Sequence, residues 1–247
     1  MIVESELALT TPLVLEVSGL RVQFGGNIAV DSFDLKISPK ERVGLIGPNG
    51  AGKSTCVNAI TGYIKSDGKI VLGGIDIGSL SATKRARNGL VRSWQNLELF
   101  ATMTVEENIH FGAELASKSR HAQADVTRRV LDLLGLQYLR HRTVGDLAYG
   151  SRKVVELGRA LAASPRVLLL DEPMAGLDTN EKGTFIDVLK EVFDQTDAAV
   201  LLIEHDMFAV EALTERVQVL DAGKLIASGP FQEVAKQQIV IDAYLGA

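Results

Sequence analysis

The sequence predicts an α/β fold on a mainly parallel sheet, with an antiparallel β unit near the N-terminus and a helical segment inserted midway. Three observations predict it. The apolar runs in "RVLLLDEP" and "AAVLLIEHD" are continuous, as in strands buried on both faces, and each is followed by acids or histidine. Residues 13–37 instead alternate apolar and polar around Gly25-Gly26, as in antiparallel strands joined by a tight turn. Between these regions, over residues 83–161, the apolar period turns helical, most clearly in "ADVTRRVLDLLGL".

In chain order, residues 1–12 read as a flexible tail. They carry Glu4 and Glu6 and lack the basic start of a secretory signal. The antiparallel pair of residues 13–37 follows, then a short buried strand at 42–46 and a helix whose first turns are residues 54–60. "GKIVLGGIDI" reads as a second antiparallel pair. After the helical stretch the two apolar strands return, and "VQVLDAGKLIASG" reads as a hairpin on Asp221-Ala222-Gly223. The expected division is a tail of 1–12, a core of 13–82 and 162–247, and a helical subdomain of 83–161.

Composition narrows the function. The chain has 247 residues, 46% hydrophobic and 23% charged, enough for one large domain or two close subdomains. A net charge of −5 argues against a protein that grips nucleic acid through its overall charge. No apolar run approaches the ~20 residues needed to span a bilayer. The single cysteine, Cys56, excludes an intrachain disulfide and fits a reducing compartment; it reads as a small packed hydrophobe.

The chemistry is concentrated in "GLIGPNGAGKSTCVNAITG". Gly47-Pro48-Asn49-Gly50-Ala51-Gly52-Lys53-Ser54 fits G-x-x-x-x-G-K-[ST], the phosphate-binding loop of P-loop NTPases. Glycines let backbone N–H groups turn inward around a phosphate where a Cβ would collide. The following helix aims unsatisfied N–H groups and the positive end of its dipole at the same anion. Lys53 would reach the β- and γ-phosphates of ATP, and the Ser54 hydroxyl would ligate Mg²⁺.

Ligands of open α/β sheets bind at the carboxyl ends of the strands, and there the chain places its acids. Asp171 and Glu172 follow the strand of "VLLLDEP": Asp171 can hold Mg²⁺ through water, and Glu172 can polarise an attacking water. His205 follows "AVLLIE", where its ring could touch a γ-phosphate.

The block "DLAYGSRKVVELGRALAASPRVLLLDEPMAGLD" then resembles the one that defines ABC-transporter ATPase subunits: an L-S-G-G-Q-type loop, a helix, an Asp-Glu strand and a D-loop. The resemblance runs over nearly the whole chain. It implies that Phe24 is the aromatic that stacks on adenine, that Gly47 to Thr55 hold the phosphates, and that Gln95 is the Q-loop glutamine sensing Mg²⁺ and the membrane partner. It further implies that Leu147, Ala148, Tyr149, Gly150 and Ser151 form the signature loop and that Gly176, Leu177 and Asp178 belong to the D-loop. Asp171 and Glu172 would be the Walker B pair and His205 the switch histidine. Lys53, Gln95, Glu172 and His205 would carry catalysis; Ser54, Gln95 and Asp171 would hold the metal.

"FGGNIAVDSFDLKI", "WQNLELFATMTVEENI" and "VIDAYLGA" are similar to ATPase subunits of branched-chain amino-acid importers. Close relatives serve urea or amide import and lipopolysaccharide export, and the importer subunits usually have a longer segment after "MTVEENI". The resemblance implies a peripheral subunit on the cytoplasmic face of the membrane. It would pair head to tail with a second cassette, identical or not, engage membrane-spanning permease subunits, and be served indirectly by an external binding protein. Trp94, Leu97, Leu99 and Phe100, around Gln95, are expected to floor the groove that receives the permease. Ala148 and Ser151 depart from the signature pattern, which keeps open a weakly catalytic regulatory cassette. The remaining class, an ABC ATPase acting on DNA or ribosomes, lacks here the long coiled-coil insertion or the tandem second cassette.

Overall fold

A computed structural model describes residues 13–93 and 97–245. The N-terminal hairpin is β1 (Leu15–Phe24) and β2 (Asn27–Ile37), turning at Gly25-Gly26 with Phe24 opposite Asn27. β3 (Arg42–Ile46) leads through the glycine loop into α1 (Lys53–Thr61). β4 (Asp67–Leu72) and β5 (Ile75–Asp76) add to the hairpin, giving a four-stranded antiparallel sheet in the order β2-β1-β4-β5.

α2 (Ala82–Arg87) is followed by β6 (Leu90–Arg92), and then by α3 (Val105–Ala116), α4 (Arg120–Leu133) and α5 (Tyr149–Ala162). The uniformly helical reading of 83–161 is therefore corrected at β6. Three residues are too few to show a period of two, and only parallel pairing of Leu90–Arg92 with a later strand makes them β. Helix α5 starts inside the expected signature loop, so Tyr149, Gly150 and Ser151 are its first turn.

The core then alternates: β7 (Val167–Asp171), α6 (Thr179–Gln195), β8 (Ala199–Ile203), α7 (Met207–Leu213), β9 (Arg216–Asp221), β10 (Lys224–Gly229), α8 (Phe231–Val234) and α9 (Gln238–Leu245). The second sheet has the order β10-β9-β3-β8-β7-β6, parallel except at the β9–β10 hairpin. Every residue of β7 and β8 is buried, as continuous apolar runs require.

One core cluster joins the antiparallel sheet to α1 and one face of the parallel sheet; Cys56 lies in it, and burial pushes its thiol well above the ordinary value. A second cluster joins α3, α4, α5 and α6 to the opposite face. Helices α3 and α5 cross so closely that a Cβ on Gly112 would stand 2.0 Å from the Arg159 carbonyl oxygen. Leu99 packs, half-buried, against this second cluster instead of flooring an open groove; Leu97 is also half-buried, and Phe100 is exposed.

Candidate functional site

The carboxyl ends of β3, β7 and β8 are neighbours, so one edge of the sheet gathers the glycine loop, the acids and the histidine. Gly52, with φ of 102°, precedes α1 and offers no side chain to cap it, which leaves first-turn N–H groups for a ligand. Its Cα faces the chain closely: a Cβ there would meet the Ala29 carbonyl oxygen at 2.5 Å. Gly50 has φ of 82° and nothing near its missing Cβ, so the loop is open on that side. A cavity of about 420 Å³ lies over the loop, lined by Asn49 to Thr55 and by Glu172. Its opposite wall is Asn27, Ile28 and Ala29 of β2 with Ala222 and Gly223, residues that no motif singles out because they arrive from distant hairpins.

Lys53 is buried, and its Nζ donates to the carbonyls of Gly47 (2.7 Å) and Pro48 (3.0 Å). Burial lowers its pKa, opposed by the charges of Glu172 and Asp171. Asp171 ends β7, 6% exposed, and its Oδ2 accepts from Arg92 Nη2 at 2.5 Å. Glu172 follows with φ of +46°, rarely adopted by a residue with a Cβ, and its N–H donates to the Ile203 carbonyl at 2.8 Å. This bond ties the turn after β7 to the end of β8, and Glu172 Oε2 lies 4.0 Å from His205 Nδ1.

Glu204, 1% exposed, was not singled out by sequence reasoning. Its carboxylate accepts from the N–H groups of Met174 (3.1 Å), His205 (3.1 Å) and Asp206 (3.4 Å), fixing both turns that carry Glu172 and His205. An acid standing directly before the histidine in "IEHD" was the available signal.

Phe24 is 54% exposed at the β1–β2 turn; the cavity is lined by the β2 arm of that turn and not by Phe24 itself. Leu147 is buried, and Ala148 is the N-cap of α5 with no side-chain cap bond. Ala148, Gly150 and Ser151 line a separate cavity of about 330 Å³ with Leu177 and Glu181, so the single chain does not bring the signature residues to its own phosphate loop. Instead the Tyr149 hydroxyl donates to the Ala175 carbonyl (3.2 Å), and its ring lies over Gly176. Asp178 caps α6, accepting from the N–H groups of Asn180 and Glu181. Trp94 and Gln95 lie outside the described residues.

No cluster of three or more His, Cys, Asp or Glu suited to a metal occurs among the described residues. Asp171 and the Ser54 hydroxyl are oxygen donors of the kind that would suit Mg²⁺ all the same, since that ion is bound through one or two carboxylates, waters and the phosphates of its substrate. A second groove, of about 500 Å³, runs between α1, α2 and β6 on one side and α3 and α5 on the other, with Arg92, Phe111 and Arg159 in its lining.

The family described as ABC transporter matches residues 30–175. The chain is 37% identical over 254 residues to the high-affinity branched-chain amino acid transport ATP-binding protein LivG of Escherichia coli, covering 96% of this chain and 99% of the relative. It is 35% identical over 249 residues to the corresponding protein BraF of Pseudomonas aeruginosa, covering 94% and 98%. A crystal structure of the ADP conformation of an ATP-binding cassette from an ABC transporter superposes with a TM-score of 0.84 at 27% identity, covering 95% of this chain and 99% of that one.

Proposed function

The chain belongs to the ABC transporter family, and on that premise we propose that it is the ATP-hydrolysing subunit of an importer for branched-chain, hydrophobic amino acids. The observation that carries the reading is the meeting of Lys53, Asp171, Glu172 and His205 around the glycine loop at the ends of adjacent strands. The substrate class rests on end-to-end similarity to two subunits of such importers.

In this reading the first-turn N–H groups of α1 and the Lys53 ammonium receive the phosphates of ATP. Ser54, Gln95 and, through water, Asp171 would hold Mg²⁺, which neutralises charge on the β- and γ-phosphates. Glu172 accepts the proton of the attacking water at a carboxylate oxygen, held in place by the backbone bond to Ile203. His205, 63% exposed, is free to reach the γ-phosphate.

The signature residues lie away from their own glycine loop and serve the ATP of a second cassette paired head to tail. The groove beside Arg92 and Phe111 receives a permease segment, and the external binding protein acts on the permease. No helix among the described residues is long and apolar enough to cross a membrane; in this reading the subunit is peripheral and works on the cytoplasmic face. Glu172 and His205 together favour turnover over a purely regulatory cassette.

The test is Glu172→Gln. It should bind ATP as the wild type does while turnover falls by about 10²–10⁴, the range for a lost general base. ATP should then trap the cassette dimer in gel filtration. Turnover at the wild-type rate would remove Glu172 as the base.

A further inference from the structure

Arg92 joins three parts of the molecule. It ends β6, and its strand continues by the Ser93 N–H bonding to the Leu169 carbonyl (2.9 Å) on the way to Gln95. Its Nη1 donates to Asn58 Oδ1 of α1 (2.6 Å), and its Nη2 donates to Asp171 Oδ2 (2.5 Å). Both charged side chains are less than a tenth exposed. The same arginine lines the groove of about 500 Å³, so one residue joins that groove to the phosphate-loop helix and the carboxylate at the end of β7.

We propose that Arg92 is a positioning residue for the reaction: it is the counter-charge of Asp171 and sets how strongly that carboxylate holds Mg²⁺. This rests on the reading of Asp171 as a metal carboxylate. Two physical effects follow from the geometry. The arginine fixes the rotamer of Asp171 by occupying Oδ2, leaving Oδ1 for the metal's water. Its positive charge also opposes a cation at the same carboxylate, and little water lies between them to screen it. Any shift of β6 caused by an occupant of the groove changes the Arg92–Asp171 contact, and with it the metal affinity.

The sign of the effect separates this role from a merely structural one. Loosening Asp171 would weaken metal binding, whereas removing its counter-charge strengthens it. The assay follows binding of a fluorescent ADP analogue to the purified subunit as Mg²⁺ is titrated, reading the Mg²⁺ concentration at the midpoint of its effect. Arg92→Gln should lower that midpoint by about tenfold, leaving metal-free nucleotide affinity unchanged. Arg92→Lys, with the charge on a shorter, single-pronged stem, should fall between wild type and Gln. Asp171→Asn should raise the midpoint. An unchanged midpoint in Asp171→Asn overturns the metal reading itself. A shifted midpoint there, with Arg92→Gln at or above wild type, overturns only the role of Arg92. Should the Gln variant fail to fold, Arg92→Met, which also removes the charge, decides: a midpoint at or above wild type overturns the proposal.

Discussion

Replacing Ala148 by Ser tests the signature loop in two ways at once. Ala148 is the N-cap of α5, with φ −59° and ψ 153°, and no side chain caps the helix. The residue is exposed, so a hydroxyl has room. A serine oxygen there can accept from N–H groups of the first turn, and Ser over Ala at an N-cap contributes about 1 kcal/mol. For a chain of this size that raises Tm by about 2–4 °C, and it should move the urea midpoint upward without changing the slope. The same hydroxyl still has its proton to donate, so a γ-phosphate from the second cassette gains a donor, and ATPase activity should hold or rise. A hydrogen bond to a charged group is worth roughly 1.5–3 kcal/mol, which bounds the gain. Thermal and urea melts of the isolated subunit measure the first effect, and turnover of the assembled transporter measures the second. An unchanged or lowered Tm would refute the placement of Ala148 at the helix start. A large fall in turnover would mean that the loop is shaped around alanine.

Phe100 is 41% exposed, packs edge-on against Phe111 at 4.9 Å and has the Arg159 guanidinium 5.9 Å from its ring centre. Phe100→Asp should leave ATP affinity within about twofold and abolish co-purification with the permease, whereas Leu99→Asp should lower stability because Leu99 packs on the helical core. Asp206 caps α7 and accepts from Lys182 Nζ at 2.9 Å; that bond first, and the Ala209 N–H, hold its carboxyl below the ordinary value. A depressed carboxyl contributes stability above its unfolded pKa and loses it as pH falls through the folded one. Asp206→Asn should therefore cost about 0.5–1 kcal/mol at pH 7 in urea melts, and the difference from wild type should begin to shrink only below pH ~4 and vanish once pH has fallen through the depressed folded pKa.

The chemistry of the phosphate loop was legible because each requirement is local. Glycine at 47, 50 and 52 meets positive φ and close approaches of the backbone, and Lys53 and Ser54 open the helix that the loop feeds. The buried strands were legible from unbroken apolar runs, and these placed Asp171, Glu172 and His205 at one edge of the sheet by rule. Cys56 was read correctly as core.

Other features depend on pairings between residues far apart in sequence, and these only the tertiary structure decided. Leu90–Arg92 is a strand only because Val167–Leu169 lies beside it, and that pairing brings Arg92 to Asp171. Glu204 becomes a structural clamp only when the turn after β7 folds back to meet it. Leu99 and Phe100 are adjacent apolar residues whose sequence cannot say which faces the core; packing of α3 against α5 turns Leu99 inward and leaves Phe100 out. By itself the sequence determined where the glycine loop and the strand-end residues Asp171, Glu172 and His205 stand, since backbone dihedrals and strand ends are short-range. Which charges neutralise those groups was decided by contacts that form only when distant strands pair and exclude water.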